Sequence, residues 1–130
     1  MKSRDTLIRL KRFQAEEKRR QFLQIESMIA EFDRMAQDLD REIAAEQQRS
    51  GITDPTHFAY PTYARAAATR RDNLRASADE LKQQLDDARG ALDAALEELK
   101  KVEALGERER AEAPVEIPVR AGAARARLSV

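Results

Sequence analysis

The chain is 130 residues long, its 24 basic and 24 acidic residues cancel, and charged side chains make up 37 % of it. Aromatics reach only 5 % and much of the apolar share is alanine, a mix suited to a thin seam between paired helices rather than a compact globule. The zero net charge gives no general attraction to nucleic acid or lipid, and the absence of cysteine excludes disulfides, thiolate chemistry and zinc ribbons. No window approaches the roughly 20 apolar residues that span a bilayer, and no apolar leader opens the chain. The expectation is a soluble, unexported protein.

Residues 1–20 are rich in base, with Lys2, Arg4, Arg9, Lys11, Arg12, Lys18, Arg19 and Arg20 against Asp5, Glu16 and Glu17. From Phe22, alternating steps of three and four residues meet Ile25, Ile29, Phe32, Ala36, Leu39 and Ile43, all apolar. Extended backwards, the same frame meets Ile8, Lys11, Ala15 and Lys18, so lysine dilutes the seam there. This predicts a first helix over about 4–49, roughly 70 Å long at 1.5 Å per residue.

The stretch "QRSGITDP" interrupts the pattern, and the bend is expected over about 50–61. Gly51 suits a helix C-cap, where a positive φ costs nothing. Thr53 or Asp54 can cap the next helical turn, with Pro55 at its first position. Pro61 would break a helix interior, so residues 55–60 read as a short turn or irregular segment. The second helix then starts at Pro61 or Thr62 and runs to about 105. Its seam reads Tyr60, Ala64, Ala67, Arg71, Leu74, Ala78, Leu81, Leu85, Ala88, Leu92, Ala95, Leu99 and Val102, broken only by Arg71.

Two sustained 3.5-residue repeats argue for coiled coil, and a short connection makes the helices antiparallel neighbours. The predicted fold is all-α: a long antiparallel two-helix coiled-coil hairpin over residues 1–109, with a disordered C-terminal tail over 110–130. Folding back near residue 54 would set Phe22 near Leu85 and Ala88, and Ile29 near Ala78, large against small. Beyond Val102 the pattern stops, and Gly106, Pro114, Pro118 and Gly122 suggest disorder. The other reading makes "VEIPVR" a docking peptide.

Catalysis finds no support. The serines lack a G-x-S-x-G context, no glycine-rich phosphate loop occurs, and a single histidine cannot build a metal site. The acidic pairs Asp86–Asp87 and Glu97–Glu98 would be solvated on a hairpin, with no pocket to shift them. The expectation is a protein that is not an enzyme and carries no cofactor. Binding remains, and "DPTHFAYPTYARAAATRRDNL" is where it concentrates. Tyr60 falls in the seam frame and can close the end of the core; Phe58 either folds over the bend or faces out. His57 and Tyr63 fall outside the frame. Beside Arg65, Arg70 and Arg71 they make a candidate hot-spot patch, since aromatics and Arg dominate interface energetics. At the termini, Lys11 and Lys18 either lay their stems along the seam or mark a basic segment that docks, with residues 90–105, on another protein.

Three segments, "MKSRDTLIRLKRFQAEEKRRQ", "DPTHFAYPTYARAAATRRDNL" and "ADELKQQLDDARGALDAALEELKKVE", together resemble the flagellar export protein FliJ family in its alphaproteobacterial form. The resemblance covers residues 1–109, and its central stretch is the most specific part. It implies a cytoplasmic component of the flagellar type III export apparatus, peripheral to the cytoplasmic face of the inner membrane. It further implies an antiparallel coiled coil similar to the gamma stalk of rotary ATP synthases, whose terminal end enters the ring of the export ATPase FliI. Another part contacts the export gate protein FlhA, and export chaperones are further partners. Carried onto this chain, the ATPase end maps to residues 4–20 and about 92–105, with Arg9, Lys11, Arg12, Lys18, Arg19 and Leu99 as contacts. The gate contact maps to His57, Phe58, Tyr60 and Tyr63.

Two other readings stand beside this one. A nucleic-acid-binding hairpin would use the basic N-terminus and Arg65–Arg75 with aromatic stacking, against which overall neutrality and the acidic second helix weigh. A passive dimeric scaffold would use the same heptads to join two chains.

Overall fold

The computed structural model describes residues 2–112, and these form two long helices packed against each other. Helix α1 spans Lys2–Ser50 and helix α2 spans Thr62–Glu112. Neither glycine nor proline interrupts α1, and Asp5 in its first turn and Arg49 in its last complement the helix dipole. It stops where Gly51 adopts φ 76° and donates its N–H to the Gln47 carbonyl at 2.8 Å, a left-handed cap open to glycine at no steric cost. Helix α2 starts after Pro61, whose carbonyl accepts the N–H of Arg65 at 3.1 Å. Residues 51–61 make the connection, as the punctuation by Gly51 and Pro61 predicts. The helices are antiparallel: Arg4 near the start of α1 bonds Glu109 near the end of α2, and Asp40 late in α1 bonds Arg71 early in α2.

The described residues divide into two compact units, one of residues 19–91 and the other of residues 2–18 and 92–112. The 19–91 unit holds a core of Leu39, Ile43, Tyr60, Ala64 and Ala67, against which Ile52, Ala68 and Leu74 pack. Its most deeply buried positions are alanines: Ala64 at 0 % exposure, with Ala36 and Ala78 at 1 %. The bulky seam residues Phe22, Ile25, Ile29 and Phe32 stay half-buried. One partner helix covers a long side chain from one side only, so shielding is complete only for side chains short enough to lie within the helix contact. The guanidinium of Arg89, next in sequence to Ala88, sits over the Phe22 ring at 5.5 Å.

Gly90 lies in the interior of α2, exposed, with nothing within 4 Å of where a Cβ would stand. It costs backbone entropy without serving a contact. Gly90→Ala should therefore raise unfolding free energy by about 0.5–1 kcal/mol, read as a higher denaturation midpoint by circular dichroism.

The unit of residues 2–18 and 92–112 carries the seam further than its apolar pattern suggests. Ala15 and Val102 are buried, and so is Gly106, one step beyond Val102. A Cβ on Gly106 would meet Ile8 Cδ1 at 3.2 Å. Glycine here permits a close approach to α1 instead of ending α2. One step further, Glu109 takes two bonds from Arg4, from Nε at 3.3 Å and Nη2 at 3.0 Å. These contacts carry α2 to Glu112, correcting the expected end near 105 and making 110–112 helix rather than tail. The rest of the expected tail, including "VEIPVR", lies outside the described residues.

Candidate interaction surfaces

The connection is built by hydrogen bonds centred on Asp54 and His57. Asp54 Oδ1 accepts the Thr56 N–H at 2.9 Å and the Thr56 hydroxyl at 2.8 Å. These two bonds hold its carboxyl below the ordinary aspartate value, against a smaller opposing effect of desolvation. The Asp54 carbonyl accepts the His57 N–H, and the His57 carbonyl accepts the Tyr60 N–H, both at 3.1 Å. His57 Nδ1 accepts the Ala59 N–H at 3.0 Å. From α2, Arg65 donates to the Pro55 carbonyl at 2.9 Å and lies over the Tyr60 ring at 5.4 Å.

On this turn Phe58 is 94 % exposed, its ring stacked on that of His57 with centroids 4.8 Å apart and planes 20° from parallel. The alternative in which Phe58 folds over the bend is therefore corrected. His57 is exposed too. Tyr60 is not a surface group: its ring is buried at 6 % exposure and its hydroxyl accepts from Gln47 Nε2 at 2.9 Å. That removes it from the proposed gate contacts, because a ring spent on closing the core has no face left for a partner. Tyr63 is half-exposed and donates its hydroxyl to the Glu42 carboxylate, which raises the phenol's pKa. A groove beside it is lined by Met35, Leu39 and Arg70 among others.

Arg71, the one break in the second seam, is half-buried and answered from α1. Its Nη1 bonds Asp40 Oδ1 at 3.1 Å, and Arg75 bonds the other oxygen of the same carboxylate. Desolvation pushes the Asp40 carboxyl upward, but the bonds from Arg71 and Arg75 and their charges together outweigh it and hold the value below normal. A carboxyl lowered on folding contributes stability above its unfolded pKa and loses it as pH falls through the folded one. Acidification below about pH 4 should thus remove the contribution. Because both partners are partly exposed, we expect no more than about 1 kcal/mol. Asp40→Asn should flatten the acid limb of a stability-against-pH curve by that amount.

In the other unit the basic segment is largely answered from within. Lys11 Nζ lies 3.7 Å from Glu98 Oε1, and Arg12 Nη2 lies 3.1 Å from Glu103 Oε2. Lys11 and Lys18 are half-buried, as stems lying along a seam would be, and Leu99 is a half-buried seam residue. Arg9 is exposed on a groove of about 490 Å³ with Asp5, Ile8, Arg12, Glu103, Glu107 and Arg110. Arg19, exposed, belongs to the 19–91 unit. Of the expected ATPase contacts, Arg9 and Arg19 are the exposed cations for which no ion pair is seen among the described residues. Arg4 and Glu109 do not show as seam partners in the apolar pattern, although Arg4 falls one step beyond Ile8 and Glu109 two steps beyond Val102 on the same frames.

Among the described residues no cluster of His, Asp or Glu could hold a metal, and no helix is long and apolar enough to cross a membrane. Set against family models, characterised proteins and solved structures, the chain gives no match.

Proposed function

We propose that this chain is a non-enzymatic, stalk-like component of a flagellar type III export apparatus, acting as an adaptor between the export ATPase FliI and the gate protein FlhA. The observation that carries the reading is the turn at Asp54–Tyr60, which spends several hydrogen bonds on holding a phenylalanine in water. A preorganised, exposed aromatic is the usual anchor of a protein interface. The helical hairpin supports the reading as a framework, and the resemblance in "DPTHFAYPTYARAAATRRDNL" supplies the machine. In this reading His57, Phe58 and Tyr63 meet the gate, while Arg9 and Arg19 contact the ATPase ring. The protein works from the cytoplasmic side, and export chaperones are further partners. The ring's nucleotide cycle supplies the energy.

The test is biochemical. Purified protein should stimulate FliI ATPase activity, and Arg9→Glu with Arg19→Glu should abolish the stimulation at unchanged helicity. Stimulation that survives both reversals refutes the assignment of these two residues. Phe58→Ala should weaken capture by FlhA about ten-fold, the loss of one interface anchor. Failure to bind either partner would sink the whole reading.

A further inference from the structure

His57 is the only histidine in the chain, and it occupies a node. Its backbone N–H and carbonyl close two successive turns, to Asp54 and from Tyr60, while its ring serves the N–H of Ala59 and the face of Phe58. A neutral imidazole has one nitrogen that donates and one that accepts. Because Nδ1 accepts from Ala59, the proton sits on Nε2.

We infer that His57 is a proton-operated latch on the exposed aromatic: the neutral ring locks the turn and stacks on Phe58, and the imidazolium releases both. Adding a proton to Nδ1 sets one N–H against another. The Ala59 bond is lost, and the ring turns away to relieve the opposition. The charged groups about it decide where it goes. Asp54, on the same turn, is an anion close enough to interact with the ring electrostatically. Arg65 from α2 is a cation held on the Pro55 carbonyl and the Tyr60 ring. From α1 the turn meets Gln47, which is neutral and bonded to Tyr60. Attraction to Asp54 draws the imidazolium towards the carboxylate. A cation over the Phe58 ring gains some attraction, so release of Phe58 requires the pull of Asp54 to exceed it. That the latch governs docking rests on the proposed function; the latch itself does not.

The test needs no partner. In a pH titration of the full chain by nuclear magnetic resonance, the His57 ring reports its own protonation. In step with it, the Ala59 amide should shift upfield. Its hydrogen exchange, corrected for the intrinsic rate, should accelerate about five-fold, as losing one net hydrogen bond implies. The Phe58 ring protons should move as the imidazole leaves. His57→Asn offers an amide oxygen in place of Nδ1 and cannot be charged, so Ala59 should stay protected throughout. If Ala59 and Phe58 ignore the titration of His57, the latch is wrong even if FlhA binding holds. If they follow it and FlhA does not bind, the latch stands and the partner is wrong.

Discussion

Leu39→Ala should lower the unfolding free energy by about 2–4 kcal/mol, the cost of deleting most of a buried leucine and leaving a cavity. Leu39 is 9 % exposed and sits in the cluster with Ile43, Tyr60, Ala64 and Ala67. Against a total of roughly 5–15 kcal/mol for a domain, such a loss is large, and it falls where the connection is tied to both helices. The companion is Leu23→Ala, at a position 46 % exposed, which should stay within about 0.5 kcal/mol. Urea denaturation followed by circular dichroism compares the two. Equal shifts would mean that the buried seam has been assigned to the wrong face of α1.

The second large effect runs in the opposite sense of volume. Ala64 has no exposed surface, so Ala64→Phe has to force the helices apart or drive the ring off its rotamer. We expect a loss near the top of the roughly 1–3 kcal/mol range for overpacking, although the substitution adds apolar surface. The exposed Ala66, two residues on, should accept phenylalanine at a cost of at most about 0.7 kcal/mol, the difference in helix propensity. If Ala64→Phe instead melts higher than the parent, the alanines are not where the helices touch.

The heptad frame made the fold legible. The positions stepped off from Phe22 to Ile43 and from Tyr60 to Val102 are all shielded, because a 3.5-residue repeat has one physical solution, a seam facing a partner helix. Gly51 and Pro61 fixed the connection because a positive φ and a missing N–H are properties of single residues. Gly106 is ambiguous by the same logic: a glycine that ends a helix and one that lets a neighbour approach look alike until the partner is known. Arg4 and Glu109 were hidden because the frame was followed by apolarity, and there the seam is closed by charge. Tyr60 falls both on the seam frame and among the aromatics of the bend, roles that burial makes exclusive. Phe58 lies off both helices, where periodicity says nothing about direction.

The ion pairs between α1 and α2 have a bearing on self-association. In the 2–18 and 92–112 unit the cations stand on α1 and the anions on α2, as Arg4–Glu109, Lys11–Glu98 and Arg12–Glu103. In the 19–91 unit the signs are exchanged, with Asp40 on α1 and Arg71 and Arg75 on α2. Two copies of α1 laid parallel and in register would bring Arg4 against Arg4, Lys11 against Lys11 and Asp40 against Asp40. Such like-charge juxtapositions penalise the wrong pairing. The charge pattern that zips α1 onto α2 therefore also penalises the parallel, in-register pairing of two first helices.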